Sequence, residues 1–209
     1  MRLLIAGASG RTGQLLTRLA LENGHAVTAL MRDPARLGLS GDRLRVLSGD
    51  VLAPATLADA TRGQDAIVSL LAPRPRVSGR VYVEGTRNLT DAAVREGARR
   101  FVVVSAQGAG VEAHALPLAY REVLRIPVVA RLYPDIQKME EELTTHDDLE
   151  WTVVRPPILT NGPYTGRYRT AMGPVVPSGL RLSRADLAAF LLGVVENNLY
   201  VREIVAVAR

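Results

Sequence analysis

A chain of 209 residues is long enough for one well-buried α/β domain with a small elaboration, but not for two independent cores. Cysteine is absent, which excludes disulfides, thiolate nucleophiles and zinc–thiolate sites. The net charge of +5 comes from arginines spread along the chain, and aromatic residues are only 4%, so a small phosphorylated ligand is expected rather than nucleic acid.

Short apolar runs alternate with longer helical stretches, the pattern of a parallel sheet covered on both faces. A strand over 2–6 leads through a glycine-rich turn to a helix over 12–23, with Leu15, Leu16, Leu19 and Ala20 on one face and Gly24 ending it. Strands follow over 25–31 and 44–48, then Gly49-Asp50-Val51, a short helix after Pro54 and a strand over 65–71. A long helix over 81–96 stops at Gly97, and a strand over 100–105 is apolar throughout at Phe101-Val102-Val103-Val104, as a central parallel strand is. Residues 106–132 are irregular, and a helix over 135–145 precedes a strand over 151–155. A Gly/Pro-rich stretch from 156 to 182, carrying Tyr164 and Tyr168, has the length of a functional loop. Ser183-Arg184-Ala185-Asp186 is a capping box opening the last helix, and the last strand covers 203–207. These elements describe an α/β, Rossmann-type, doubly wound, mainly parallel sheet flanked by helices, one domain over 1–209, with cleft loops at about 106–132 and 156–182. No apolar run approaches the ~20 residues of a membrane span and no secretory leader is visible, so a cytoplasmic protein without a membrane partner is expected.

The glycines Gly7, Gly10 and Gly13 fall directly between a strand and a helix. In that context the first permits a tight turn, the second lets backbone approach a pyrophosphate, and the third lets the helix pack on the strand. The helix N-terminus then offers N–H groups and positive potential to phosphates. Where an NAD site usually carries an acid about 20 residues further on, this chain has Arg32, with Arg11 and Arg36 expected nearby. Arginine matches a ribose 2′-phosphate as a bidentate, always charged donor, so the expected cofactor is NADP(H). Asp33 is the residue that could instead pair with an arginine or contact the ribose.

Gly-Ala-Ser-Gly-Arg-Thr-Gly at 7–13, Met31-Arg32-Asp33-Pro34, Gly49-Asp50-Val51, Glu84-Gly85-Thr86-Arg87-Asn88-Leu89 and Trp151-Thr152-Val153-Val154-Arg155-Pro156-Pro157 occur in this order. Together they resemble the atypical short-chain dehydrogenase/reductase superfamily, and within it the flavin reductase/biliverdin-IXβ reductase group, over nearly the whole chain. The resemblance implies that Ser9, Gly10, Arg11 and Thr12 wrap the pyrophosphate and that Arg32 and Arg36 hold the 2′-phosphate. It further implies that Asp50 and Val51 border the adenine, and that Leu70, Leu71 and Arg74 line the path to the nicotinamide, bounded by Pro156, Pro157 and Ile158. Leu70 and Leu71 could equally be strand core, Arg155 a structural ion pair, and the two loop tyrosines anchors.

Carbonyl-reducing members of that superfamily use a Tyr-x-x-x-Lys pair to pass a proton. Here Pro134 stands four residues before Lys138, the only lysine, and Tyr133 is one residue too far to share its helical face. Of two hydroxyl residues common at the end of the fifth strand only Ser105 is present, a candidate for contacting nicotinamide or substrate. His114 and His146 are acids by residue type alone. Hydride delivery to a conjugated acceptor dispenses with the tyrosine pair, so the expected activity is an NADPH-dependent reductase acting on a flavin, biliverdin-like tetrapyrrole or quinone. A non-catalytic NADP(H) sensor is the alternative, and a sugar-nucleotide epimerase is disfavoured by the missing pair. No metal site is expected, and a monomer or weak homodimer is.

Overall fold

The computed structural model describes residues 1–73, 80–110, 118, 121–122 and 125–209. Its strands are β1 (Arg2–Ala6), β2 (Ala26–Met31), β3 (Leu44–Ser48), β4 (Ala66–Ser69), β5 (Arg100–Val104), β6 (Glu150–Arg155), β7 (Ile158–Thr160), β8 (Arg169–Ala171), β9 (Arg181–Ser183) and β10 (Glu203–Ala208). The α-helices among the described residues are α1 (Arg11–Glu22), α2 (Ala58–Thr61), α3 (Arg80–Glu96), α4 (Pro127–Thr144) and α5 (Arg184–Glu196). Eight strands form one sheet in the order β3-β2-β1-β4-β5-β6-β10-β8, parallel except where β8 runs against β10 at the edge. This is the Rossmann-type order, in which the chain winds outward from β1 in one direction and then returns to wind outward in the other.

Alternation along β1 divides the core. Leu3 and Ile5 face α1 and α5, whereas Leu4 and Ala6 face α2, α3 and α4. Phe101, Val102 and Val103 are buried on both faces, as the run of apolar residues in a central parallel strand requires.

Three boundaries differ from the sequence reading for physical reasons. The fourth strand ends at Ser69, so Leu70 and Leu71 leave the sheet and turn over its carboxyl edge. Helix α4 begins at Pro127, a residue suited to the first turn of a helix, and continues through Pro134, whose nitrogen cannot donate the helical hydrogen bond. The stretch from 156 to 182 contains β7, β8 and most of the way to β9; β7 pairs with β9, and strands of three residues are too short to show a period.

That stretch is fastened to α5 by one carboxylate. Ser183 caps α5 by accepting from the Asp186 N–H at 2.9 Å, as the capping box predicts. Asp186 Oδ1 accepts the N–H groups of Thr165 at 2.7 Å and Gly166 at 2.9 Å, while Oδ2 accepts the hydroxyls of Ser183 at 2.8 Å and Thr165 at 2.9 Å. Burial alone would raise the Asp186 pKa, but these donors outweigh it and hold the value below the ordinary carboxylate range. Its ionised form is therefore the one that stabilises the fold, and that contribution disappears as pH falls through the lowered value. Asp186→Asn is expected to cost about 2–3 kcal/mol in urea unfolding at pH 7, with the gap to wild type closing below the ordinary carboxylate range; an unchanged gap at pH 3 would show the ionised carboxylate to be irrelevant. Tyr168, farther along the same stretch, stacks edge-on against Phe190 at 5.6 Å, so it is an anchor, whereas Tyr164 is exposed.

Candidate functional site

The carboxyl ends of β1, β2, β3, β4 and β5 open onto a cleft with two cavities that share Gly7, Gly10, Leu70, Leu71 and Ala72. Gly7 has φ +85°, and a Cβ there would lie 2.6 Å from the Leu70 carbonyl oxygen. At Gly13 a Cβ would lie 2.4 Å from the Gly7 carbonyl oxygen, so the first turn of α1 sits directly on the glycine turn. Gly10 caps α1 without any side-chain hydrogen bond, and no acid occupies the first turn. Such a cradle, narrow, built of backbone and electropositive, fits a pyrophosphate. Gln14 Nε2 donates to the Ser9 carbonyl at 3.3 Å and the Arg36 carbonyl at 2.9 Å, tying the turn to the segment after β2.

The first cavity, of 210 Å³, is lined by Ser9, Arg32, Arg36, Asp50, Val51 and the two leucines, among others. Arg32 and Arg36 are exposed and form no ion pair among the described residues, Asp33 included. Asp50 accepts the Leu52 N–H at 3.0 Å through Oδ1, and Asn88 Nδ2 donates to the Val51 carbonyl at 2.8 Å, so the post-β3 loop is held from both sides. This half therefore joins two unpaired arginines to a pocket bordered by Asp50 and Val51. Gly85 lets α3 approach it, since a Cβ there would lie 2.8 Å from Val51.

The second cavity, of 370 Å³, is lined by Thr12, Gly13, Ser105, Pro156 and Pro157, and also by Arg11. Arg11 thus faces this half and not the half of Arg32 and Arg36, where the sequence reading grouped it. Ile158 is 49% exposed and lines neither cavity; strand alternation turns Leu159 inward in its place. Arg74 and His114 lie outside the described residues.

The sequence did not show what orients Ser105, nor that Tyr82 lines this half. Ser105 donates its hydroxyl to Glu140, whose carboxylate is bound by Arg155 at 3.0 Å through Nε and 2.5 Å through Nη2. Both members of that pair are almost fully buried, so Arg155 is the structural ion pair, with Glu140 as its partner. The donated proton fixes Ser105 with its lone pairs available to accept from a ligand. Tyr82 on α3 also lines this half. Burial, with Asp135 adding to it, pushes Tyr82 up to about 12, so the phenol stays protonated at neutral pH. Tyr133 donates to the Gln107 carbonyl at 2.7 Å, and Lys138 is exposed and lines neither cavity, so they do not form a proton-passing pair. His146 is 3.4 Å from the Thr90 hydroxyl in a separate cavity between α3 and α4. Among the described residues no cluster could hold a metal, and no helix is long and apolar enough to cross a membrane.

A family model described as NAD(P)H-binding matches residues 7–198. The photosystem II assembly factor Ycf39 of Synechocystis sp. is 25% identical over 159 residues, covering 74% of this chain and 44% of its own. This chain spans about half the length of the curated relatives it matches. Among solved structures, a short-chain dehydrogenase/reductase of Veillonella parvula in complex with NADP has a TM-score of 0.81 at 20% identity, covering 100% of this chain and 94% of that one. ChuY, an anaerobillin reductase of Escherichia coli O157:H7, has a TM-score of 0.81 at 21% identity, covering 100% and 97%. With the match running from the first glycine of the turn to just beyond α5, the chain belongs to the NAD(P)H-binding family, and its fold is that of the short-chain dehydrogenase/reductase-like proteins.

Proposed function

We propose that the protein is an NADPH-dependent reductase delivering hydride to a conjugated acceptor, namely a flavin, a biliverdin-like tetrapyrrole or a quinone. The observation that carries this reading is the contrast between the two halves of the cleft. One half offers Arg32 and Arg36 with no acid paired to them among the described residues; the other sets the apolar Leu70, Leu71, Pro156 and Pro157 around one oriented serine, with Arg11 and Arg184 also in its lining and no tyrosine–lysine pair. A reduced nicotinamide cofactor held by the glycine turn would supply the hydride. The chain supplies position: the glycine turn and α1 hold the phosphates, Asp50 and Val51 border the adenine, and Leu70, Leu71, Pro156 and Pro157 exclude water around the reacting face. Ser105 accepts a hydrogen bond from nicotinamide or acceptor. A conjugated acceptor takes its proton from solvent or from a neutral donor such as Tyr82, so the missing pair is no obstacle. The NADP bound by the Veillonella parvula protein and the anaerobillin reduced by ChuY support the reading by likeness of fold. The unit we infer is one domain over 1–209, working in the cytoplasm as a monomer or weak homodimer.

Arg32→Asp is expected to weaken NADPH binding about 10- to 100-fold while leaving NADH within about threefold, because a charged hydrogen bond contributes ~1.5–3 kcal/mol. Equal weakening of both nucleotides, measured by fluorescence titration, would remove Arg32 from the 2′-phosphate. Turnover is tested by following NADPH absorbance with FMN, FAD, biliverdin and simple quinones. Binding of NADPH without turnover across the panel favours a redox sensor over the reductase.

A further inference from the structure

Arg11 opens α1 and Arg184 opens α5, and both residues line the acceptor half of the cleft. Both also border an adjoining cavity of 400 Å³, together with Arg18 and Asn161. Among the described residues neither cavity has an aspartate or glutamate in its lining. Arg184 Nη1 donates to the Leu159 carbonyl at 3.1 Å and to Asn161 Oδ1 at 2.8 Å, which leaves its Nε and Nη2 without a partner among the described residues. Arg184 forms no ion pair among the described residues; the carboxylate of the nearby Asp186 is turned instead to the N–H groups of Thr165 and Gly166 and to the hydroxyls of Thr165 and Ser183. Partial burial, and after it the charge of Arg11, hold the Arg184 pKa below its usual value, in keeping with two like charges placed near one another in the lining of both cavities. An anion between them removes that repulsion and gains charge-assisted hydrogen bonds. The adenosine half already has its own arginines, Arg32 and Arg36, for a 2′-phosphate. The backbone cradle of the glycine turn and the first N–H groups of α1 suit the pyrophosphate that the resemblance gave in part to Arg11, which leaves this pair for another anion.

We infer that Arg11 and Arg184 form a subsite for a carboxylate or phosphate carried by the acceptor, so the substrate class is an anionic conjugated molecule rather than a neutral quinone. The inference rests on the reductase reading above and narrows its acceptor. Arg11 reaches the subsite from α1, and Arg184 is held in place by Leu159 and Asn161, so β7 and α5 together set its distance from the nicotinamide end.

The test compares probes that share a ring system and differ in charge: FMN with riboflavin for a phosphate, and biliverdin with its dimethyl ester for a carboxylate. Dissociation constants are measured by fluorescence quenching on the protein saturated with NADP⁺, at low and moderate salt. Wild type is expected to bind the anionic member of at least one pair tenfold or more tightly, with the advantage shrinking as salt rises. Arg184→Gln and, separately, Arg11→Gln should remove most of the advantage, whereas Arg184→Lys should keep a substantial part of it. Thermal unfolding within a few degrees of wild type shows that a variant is folded. No charge preference in either pair, or a preference that survives both glutamine variants, overturns the subsite. So does an Arg184→Gln variant whose NADPH affinity falls in parallel, which assigns the pair to the cofactor's phosphates. Failure of wild type to bind NADPH is read separately in the same titrations and sinks the reductase reading itself.

Discussion

Replacing Gly13 with alanine is expected to lower stability by about 3 kcal/mol and to abolish measurable nucleotide binding. The added Cβ would sit 2.4 Å from the Gly7 carbonyl oxygen and 2.8 Å from the Ala8 Cα, and both are backbone atoms that no rotamer change can move aside. The strain can be relieved only by lifting α1 from the turn, which widens the cradle and misaims the first N–H groups of the helix. Gly7→Ala should behave similarly by a different route. Its positive φ disfavours any side chain by about 1–2 kcal/mol, and its Cβ would meet the Leu70 carbonyl oxygen at 2.6 Å. Urea unfolding and NADPH fluorescence titration measure the two effects. A Gly13→Ala protein of wild-type stability that still binds NADPH would mean that α1 does not rest on the turn.

Glu140→Gln is expected to be the most damaging single change outside the glycine turn, at about 3–5 kcal/mol. The substitution keeps the shape but leaves Arg155 charged, buried and without a counter-charge. It also offers Ser105 a weaker acceptor, so the hydroxyl is freed to rotate. Removing both charges together should hurt less than removing one, because neither ion is then stranded. The double variant Glu140→Gln with Arg155→Met is accordingly expected to recover at least half of the loss in chemical denaturation. A double variant no more stable than Glu140→Gln would place the cost in packing instead of charge. The readout at the cleft is independent: wherever the variant folds, the orientation of Ser105 is lost, and nicotinamide-end binding weakens while the adenosine end does not.

The gathering of Gly7, Arg32, Asp50 and Leu70 around one half of the cleft was legible because these residues follow local order. Each lies at the carboxyl end of a successive parallel strand: the glycine turn after β1, Arg32 after β2, Asp50 after β3 and Leu70 after β4. Parallel strands all deliver their carboxyl ends to one edge, so recognising the strands suffices to gather these residues. The acceptor half is assembled differently. Glu140 is 35 residues from Ser105 and 15 from Arg155, on a helix whose start was hidden by Pro134. Arg184 is far from Arg11 in sequence and belongs to a capping box, which marks it as a helix start and says nothing about what it faces. The failed tyrosine–lysine spacing was readable, and the exposure of Lys138 agrees with it, but the phenol of Tyr82 reaches the cleft from another helix.

The sequence by itself determined the sheet, the phosphate cradle and the absence of an acid at the end of β2, because these depend on hydrophobic period, glycine geometry and the residue that follows a strand. Only the tertiary structure decided which side of the cleft each arginine serves, what orients Ser105 and which residue of β7 turns inward. Those outcomes depend on the relative placement of helices far apart in the chain, and on buried charges finding partners there, for which one-dimensional spacing carries no signal.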